Sequence, residues 1–104
     1  MKKTIEEKMD LIYRLQDMLT GSGSVVLAKK DGEYSCTSYR IDDGLIQSYA
    51  VGKNARAEKA VDATLRTIFL RASNDVTELE RSAGTPRAER FRVLLREIEQ
   101  AIVG

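Results

Sequence analysis

Histidine and tryptophan are absent from the 104 residues, and cysteine and proline occur once each. Without histidine, Ser-His and Cys-His nucleophilic catalysis lose their base, and the usual zinc, haem and transition-metal ligand sets lose a member. The lone Cys36 has no partner for an intramolecular disulfide. No apolar run reaches the length of a membrane span and no secretory h-region is visible, so a cytoplasmic protein is the simplest expectation. An excess of one charge is missing too. Seventeen basic residues against sixteen acidic ones leave +1 at pH 7, so no whole-molecule field draws the chain to nucleic acid or an anionic membrane, and any such role needs a local patch.

What is present suits an ordinary globular chain: 42% hydrophobic and 32% charged residues, at the usual length of one domain. Ile5, Met9, Leu11, Ile12, Leu15, Met18 and Leu19 recur at helical spacing and predict a helix over about 5–19. Thr4 with Glu7 forms its capping box, and Gly21 offers the left-handed residue that ends it. The period then changes. Residues 24–30, the Asp31-Gly32 turn, and 33–41 read as a β-hairpin, and Asp42-Asp43-Gly44 leads into a third strand over 45–51. From an Asn54 cap, Ala57, Ala60, Val61, Leu65 and Ile68 predict a helix over 55–72. Ser73-Asn74-Asp75, with Glu78 after it, restarts a short helix over 75–83 that Gly84 ends. Thr85 and Pro86 open a last helix over 86–102, striped with Phe91, Leu94, Leu95, Ile98 and Ile102. The expectation is one α+β domain over 1–104: a helix, a three-stranded antiparallel β-meander, then two or three helices (α-β-β-β-α-α-α).

The buried face of the sheet depends on the second turn. A three-residue turn with a bulge collects Val26, Ala28, Tyr39, Ile41, Leu45, Tyr49 and Val51 on one face, the more apolar set, and that face is preferred as the buried one. The other face would show Val25, Leu27, Tyr34, Cys36, Ile46 and Ala50, too apolar to leave in water without a covering element or a partner. The last helix covers that second face, packs beside its neighbour, or reaches to another subunit.

Few residues invite chemistry. Cys36 sits mid-strand as a small packing residue, Asp42-Asp43-Gly44 is turn chemistry, and Tyr34, Tyr39 and Tyr49 read as cross-strand packing. Gly21-Ser22-Gly23-Ser24 follows a helix and precedes a strand, the reverse of a phosphate-cradling loop. No catalytic residue, metal site or cofactor is expected, and the chain is not read as an enzyme.

Lys53, Arg56 and Lys59 stand out, because cations at a helix N-terminus oppose its macrodipole. Together with helix-end amides they make a candidate anion or nucleic-acid site, unless Glu58 and Asp62 neutralise them on a solvated face. Residues 4–73 share the α-β-β-β-α order of the double-stranded RNA-binding domain, and residues 52–60, Gly-Lys-Asn-Ala-Arg-Ala-Glu-Lys-Ala, resemble the basic start of that family's second helix. A nucleic-acid-binding domain would use Lys53, Arg56 and Lys59, with Lys29, Lys30, Arg90, Arg92 and Arg96 as accessory contacts. The family's long first hairpin loop is replaced here by the tight Asp31-Gly32 turn. The leading expectation is a non-enzymatic protein-binding module: a homo-oligomeric adaptor, or a small regulator or inhibitor of the kind that phages and other mobile elements encode. Nucleic-acid binding is the alternative.

Overall fold

A computed structural model describes residues 3–21, 23–81 and 86–103. The order is α1 (Ile5–Thr20), β1 (Gly23–Lys30), β2 (Glu33–Asp42), β3 (Leu45–Asn54), α2 (Ala57–Arg81) and α3 (Pro86–Val103). This is the expected α+β arrangement, a meander with sheet order β1-β2-β3 between one helix and two.

Local chemistry accounts for most boundaries. Thr4 Oγ1 accepts from the Glu7 amide at 3.1 Å while Glu7 Oε1 accepts from the Thr4 amide at 3.0 Å, so two orphan donors at the start of α1 are satisfied. The Thr4 amide, and after it the Thr4 hydroxyl, hold the Glu7 carboxyl below its ordinary pKa, because hydrogen bonds to the carboxylate favour its ionised form. Gly21, at φ 80°, closes α1 with its amide on Asp17 O at 2.8 Å. Both hairpins turn on two residues with positive φ, Asp31-Gly32 and Asp43-Gly44, the geometry that matches strand twist.

Two boundaries differ from expectation. Asn54 ends β3, and its Oδ1 accepts from the Arg56 amide at 3.0 Å; the carbonyl that takes the first helical bond of α2 is that of Arg56, from Ala60 at 3.0 Å. The expected break at residues 73–75 is absent, and α2 runs on to Arg81. Ser73 is accommodated by turning its hydroxyl back to Phe69 O at 2.9 Å, a bond open to a serine inside a helix, in place of the capping role expected of it. The expected signals at Gly84 and Thr85 lie outside the described residues.

The sheet buries the face opposite to the preferred one. Cys36, Ser38 and Ala50 are enclosed, and Val25, Leu27, Tyr34 and Tyr49 pack at their margin. The bulge is not in the turn. Ser38 pairs with Ala50 but Tyr39 pairs with Ser48, so Tyr49 is the extra residue and the phase of β3 changes there. Ile46 therefore lies outward with Ile41, while Tyr49 turns inward beneath the Arg71 guanidinium, 4.9 Å from its ring centre. Side-chain size chose this face. It carries Cys36, Ser38, Ala50 and Gly52, small enough for two helices to come down onto the sheet.

Both α1 and α2 lie on that face, α1 over β1 and β2 and α2 over β2 and β3. The core joins Leu11, Ile12 and Leu15 of α1 to Val61, Leu65 and Ile68 of α2. From α3 come Phe91, Leu94 and Ile98, and that helix packs on α1 and α2, not on the sheet. Among the described residues no helix is long and apolar enough to cross a membrane.

Polar groups lock α1 in place. Gln16 is wholly buried, its amide donating to Tyr39 O and its Oε1 accepting from Ser38 Oγ at 2.5 Å. Lys8, 3% exposed, reaches Asp62 at 2.8 Å and Glu58 at 3.5 Å on α2. Burial by itself would lower the Lys8 pKa, but the hydrogen bonds and charges of Asp62 and Glu58 outweigh it and hold it above the ordinary lysine value. A raised folded-state pKa means that this stabilisation is full below the unfolded lysine value of about 10.4 and fades as pH climbs through the folded one. The carboxylates are about a third exposed, so Lys8→Met should cost about 1–2 kcal/mol rather than the figure for a fully buried pair. Urea unfolding of both proteins should show a constant difference from neutral pH to about pH 10 that shrinks above it. A difference unchanged well above that point would assign the effect to packing of the lysine stem.

Candidate interaction surface

Alternation along the strands sends Val26, Thr37, Tyr39, Ile41, Ile46 and Val51 to the face that, among the described residues, carries no helix. Thr37, on the middle strand, lies between Val26 and Val51 and is nearly buried by them. The others are open: Val26 45%, Ile41 46%, Val51 41% and Ile46 70% exposed. Three strands about 4.8 Å apart and ten residues of β2 at about 3.3 Å each give the whole face a footprint of about 475 Å². A face of that size, rich in β-branched side chains, is comparable with the largest apolar patch of an ordinary monomer, which is often functional.

The basic corner lies at one end of the same sheet. Lys53 pairs with Ser35 near the end of β3, on the open face, Arg56 precedes α2, and Lys59 sits in its first turn; all three are exposed. Glu58 and Asp62, the carboxylates expected to neutralise them, both reach Lys8. Lys29 and Lys30 join this end through the β1–β2 pairing, with Lys29 Nζ 5.2 Å from the Tyr34 ring centre. Arg90, Arg92 and Arg96 do not join it, because α3 packs against α1 and α2 away from the sheet. Arg92 is 3.7 Å from Glu89 on its own helix.

The remaining candidates are structural. Cys36 is fully buried, and burial pushes its thiol pKa up, against a smaller opposing effect of the Thr64 hydroxyl. That raises the proportion of unreactive thiol. Asp43 occupies a positive-φ turn position. An open groove of about 670 Å³ runs between α1 and α3, lined by Tyr13, Arg14, Met18, Arg90 and Val93. Arg14 on its wall is already matched to Glu97 at 3.5 Å. Among the described residues there is no cluster of three metal-ligating side chains, and no buried side-chain nitrogen or oxygen is left without a hydrogen-bond partner.

No protein-family model, curated protein or solved structure matches this chain. The likeness to the double-stranded RNA-binding domain thus rests on element order and on residues 52–60. The open sheet face was half-legible in the sequence: two apolar faces were visible, but their ranking by hydrophobicity selected the wrong one for burial. Exposure of Ile46 follows from the bulge at Tyr49, which no residue type in β3 announces.

Proposed function

We propose that the chain is a non-enzymatic protein-binding module whose binding surface is the open face of the β-sheet. One observation carries this reading: Val26, Ile41, Ile46 and Val51 are 41–70% exposed on one continuous face while the opposite face is filled by two helices. Leaving such side chains in water forgoes about 25 cal/mol for each Å² that a partner would cover, and this is the driving force of most protein association. Adaptor, regulator and inhibitor roles all use such a surface, and a cytoplasmic setting suits a chain with one free cysteine.

Photo-crosslinking in the native host tests the reading. A benzophenone side chain at position 46 should trap protein, whereas the same group at the exposed helical position Arg66 should not. Equal trapping at both positions, or none at 46, rejects the reading. Nucleic-acid binding is the second reading, favoured by the exposure of Lys53, Arg56 and Lys59 together at one end of the sheet. It requires that binding of labelled duplex weaken with salt, at a log–log slope of about −0.9 per phosphate neutralised, and that the slope flatten when the three are changed to alanine.

A further inference from the structure

The open face has an internal pattern. Cross-strand pairing divides it into rows, and the row Ser24–Tyr39–Ser48 sets one tyrosine between two serines. Two residues along the strands in one direction lies the row Ile41–Ile46; two residues in the other lies Val26–Thr37–Val51. Four residues out, the pattern changes sign: the Asp43 turn lies on the first side, and Ala28–Ser35–Lys53 on the second. Polarity is therefore symmetric about the Tyr39 row, and charge is antisymmetric about it.

We infer that the occupant of this face is a second copy of the same chain, packed sheet to sheet about a two-fold axis that runs along the Ser24–Tyr39–Ser48 row, perpendicular to the strands. The inference rests on the protein-binding reading and names its partner. A two-fold axis in that position reverses the strands and lays each row two residues out on the row two residues out in the other direction. Ile41 of each copy then lies over Thr37 of the other and Ile46 over Val51, with Val26 at the edge of the contact. Lys53 meets the Asp43 turn of the other copy, twice in the dimer. The two Tyr39 rings meet at the axis, where the flanking serines leave room beside them. Turning the second copy about an axis parallel to the strands stacks like ends on like ends, laying the Asp43 turns towards each other and Lys53 towards Lys30, whose partner Glu33 offsets part of that repulsion, so charge favours the first arrangement. Aligned packing of twisted sheets about 10 Å apart is the ordinary geometry for such faces.

Area sets the strength. Each strand lies over its own copy, so β2 and β3 overlap from the Ser35 row to the Asp43 turn while β1 overlaps only near the axis, about 300 Å² of flat footprint per copy. Side-chain relief raises this, but it stays below obligate-dimer interfaces, which exceed about 2,000 Å² in total. The dimer is therefore reversible, with a folded monomer, and forms at micromolar rather than nanomolar concentration.

Sedimentation equilibrium from about 10 µM to about 1 mM should show a monomer–dimer equilibrium for the wild type and a monomer for Ile46→Asp throughout. Lys53→Asp and Asp43→Lys should each weaken the dimer by about 5-fold or more, because each reverses both inter-chain contacts. Their equimolar mixture should recover wild-type affinity, since each pairing in the mixed dimer is again lysine with aspartate. Asp43 has φ 49°, where lysine is strained, so Asp43→Asn serves as a second variant and should give a smaller weakening with an unchanged thermal midpoint. A wild type that stays monomeric, a dimer indifferent to Ile46→Asp, or the absence of recovery in the mixture overturns the inference. Should the wild type be monomeric while position 46 still traps another protein in the host, self-association fails and the protein-binding reading stands; with no trapping, both fail.

Discussion

Gly52→Ala is expected to destabilise the protein by about 3 kcal/mol, and Gly52→Val by more, with the loss read as a lowered urea midpoint at an unchanged slope. The reason is contact, not backbone freedom. A Cβ at position 52 would lie 2.4 Å from Ala60 O, 2.5 Å from Thr64 Oγ1 and 2.6 Å from Thr64 N. Two of these atoms belong to the backbone of α2, and the third is held 2.6 Å from Cys36 O by its own hydrogen bond. None can step aside without moving the helix from the sheet. Lifting α2 would also loosen Ala60, Val61 and Leu65, all fully buried. Gly32→Ala is the control: a Cβ there meets nothing within 4 Å, so only the strain of its positive φ, about 1 kcal/mol, should appear. Equal effects at the two glycines would mean that α2 yields and that the close approach of β3 is not what fixes the layer.

That close approach also explains why the order of elements could be read from the chain while the orientation of the sheet could not. Turns and caps are written in residues adjacent in sequence: Thr4 with Glu7, Asp31 with Gly32, Asp43 with Gly44. The buried face is decided by groups distant in sequence, Gly52 against Ala60 and Thr64, Ser38 against Gln16, Thr64 against Cys36. These contacts reward small or hydrogen-bonding side chains, so hydrophobicity ranked the two faces in the wrong order. The same lesson applies to the interaction surface. Val26, Ile41 and Val51 were legible as an apolar set, but their exposure depends on which face the helices fit. The basic residues Lys53, Arg56 and Lys59 were visible in the sequence, whereas the capture of Glu58 and Asp62 by Lys8, fifty residues away and more, was not.

Phe91→Ala should cost about 3–5 kcal/mol, a large part of the roughly 5–15 kcal/mol that holds a domain of this size folded. Its ring is 1% exposed and belongs to the core cluster with Leu94 and Ile98 of α3 and Leu11, Leu15, Leu65 and Ile68 of the other two helices. Truncation leaves a cavity lined from three helices, and the site closes poorly because α1 is pinned to the sheet by Gln16 and to α2 by Lys8. Val93, two positions along and 58% exposed, should tolerate alanine within about 0.5 kcal/mol. Thermal or urea unfolding gives the comparison, and an unchanged midpoint for Phe91→Ala would make α3 an appendage rather than part of the core. The two apolar surfaces of the protein then separate by measurement. Phe91 lies among the helices and Ile46 on the open sheet, so Phe91→Ala should lower the unfolding midpoint with little change in the monomer–dimer constant of the protein that remains folded. Ile46→Asp should do the reverse, since a residue 70% exposed in the monomer contributes little to its folding and, if the face is an interface, much to association.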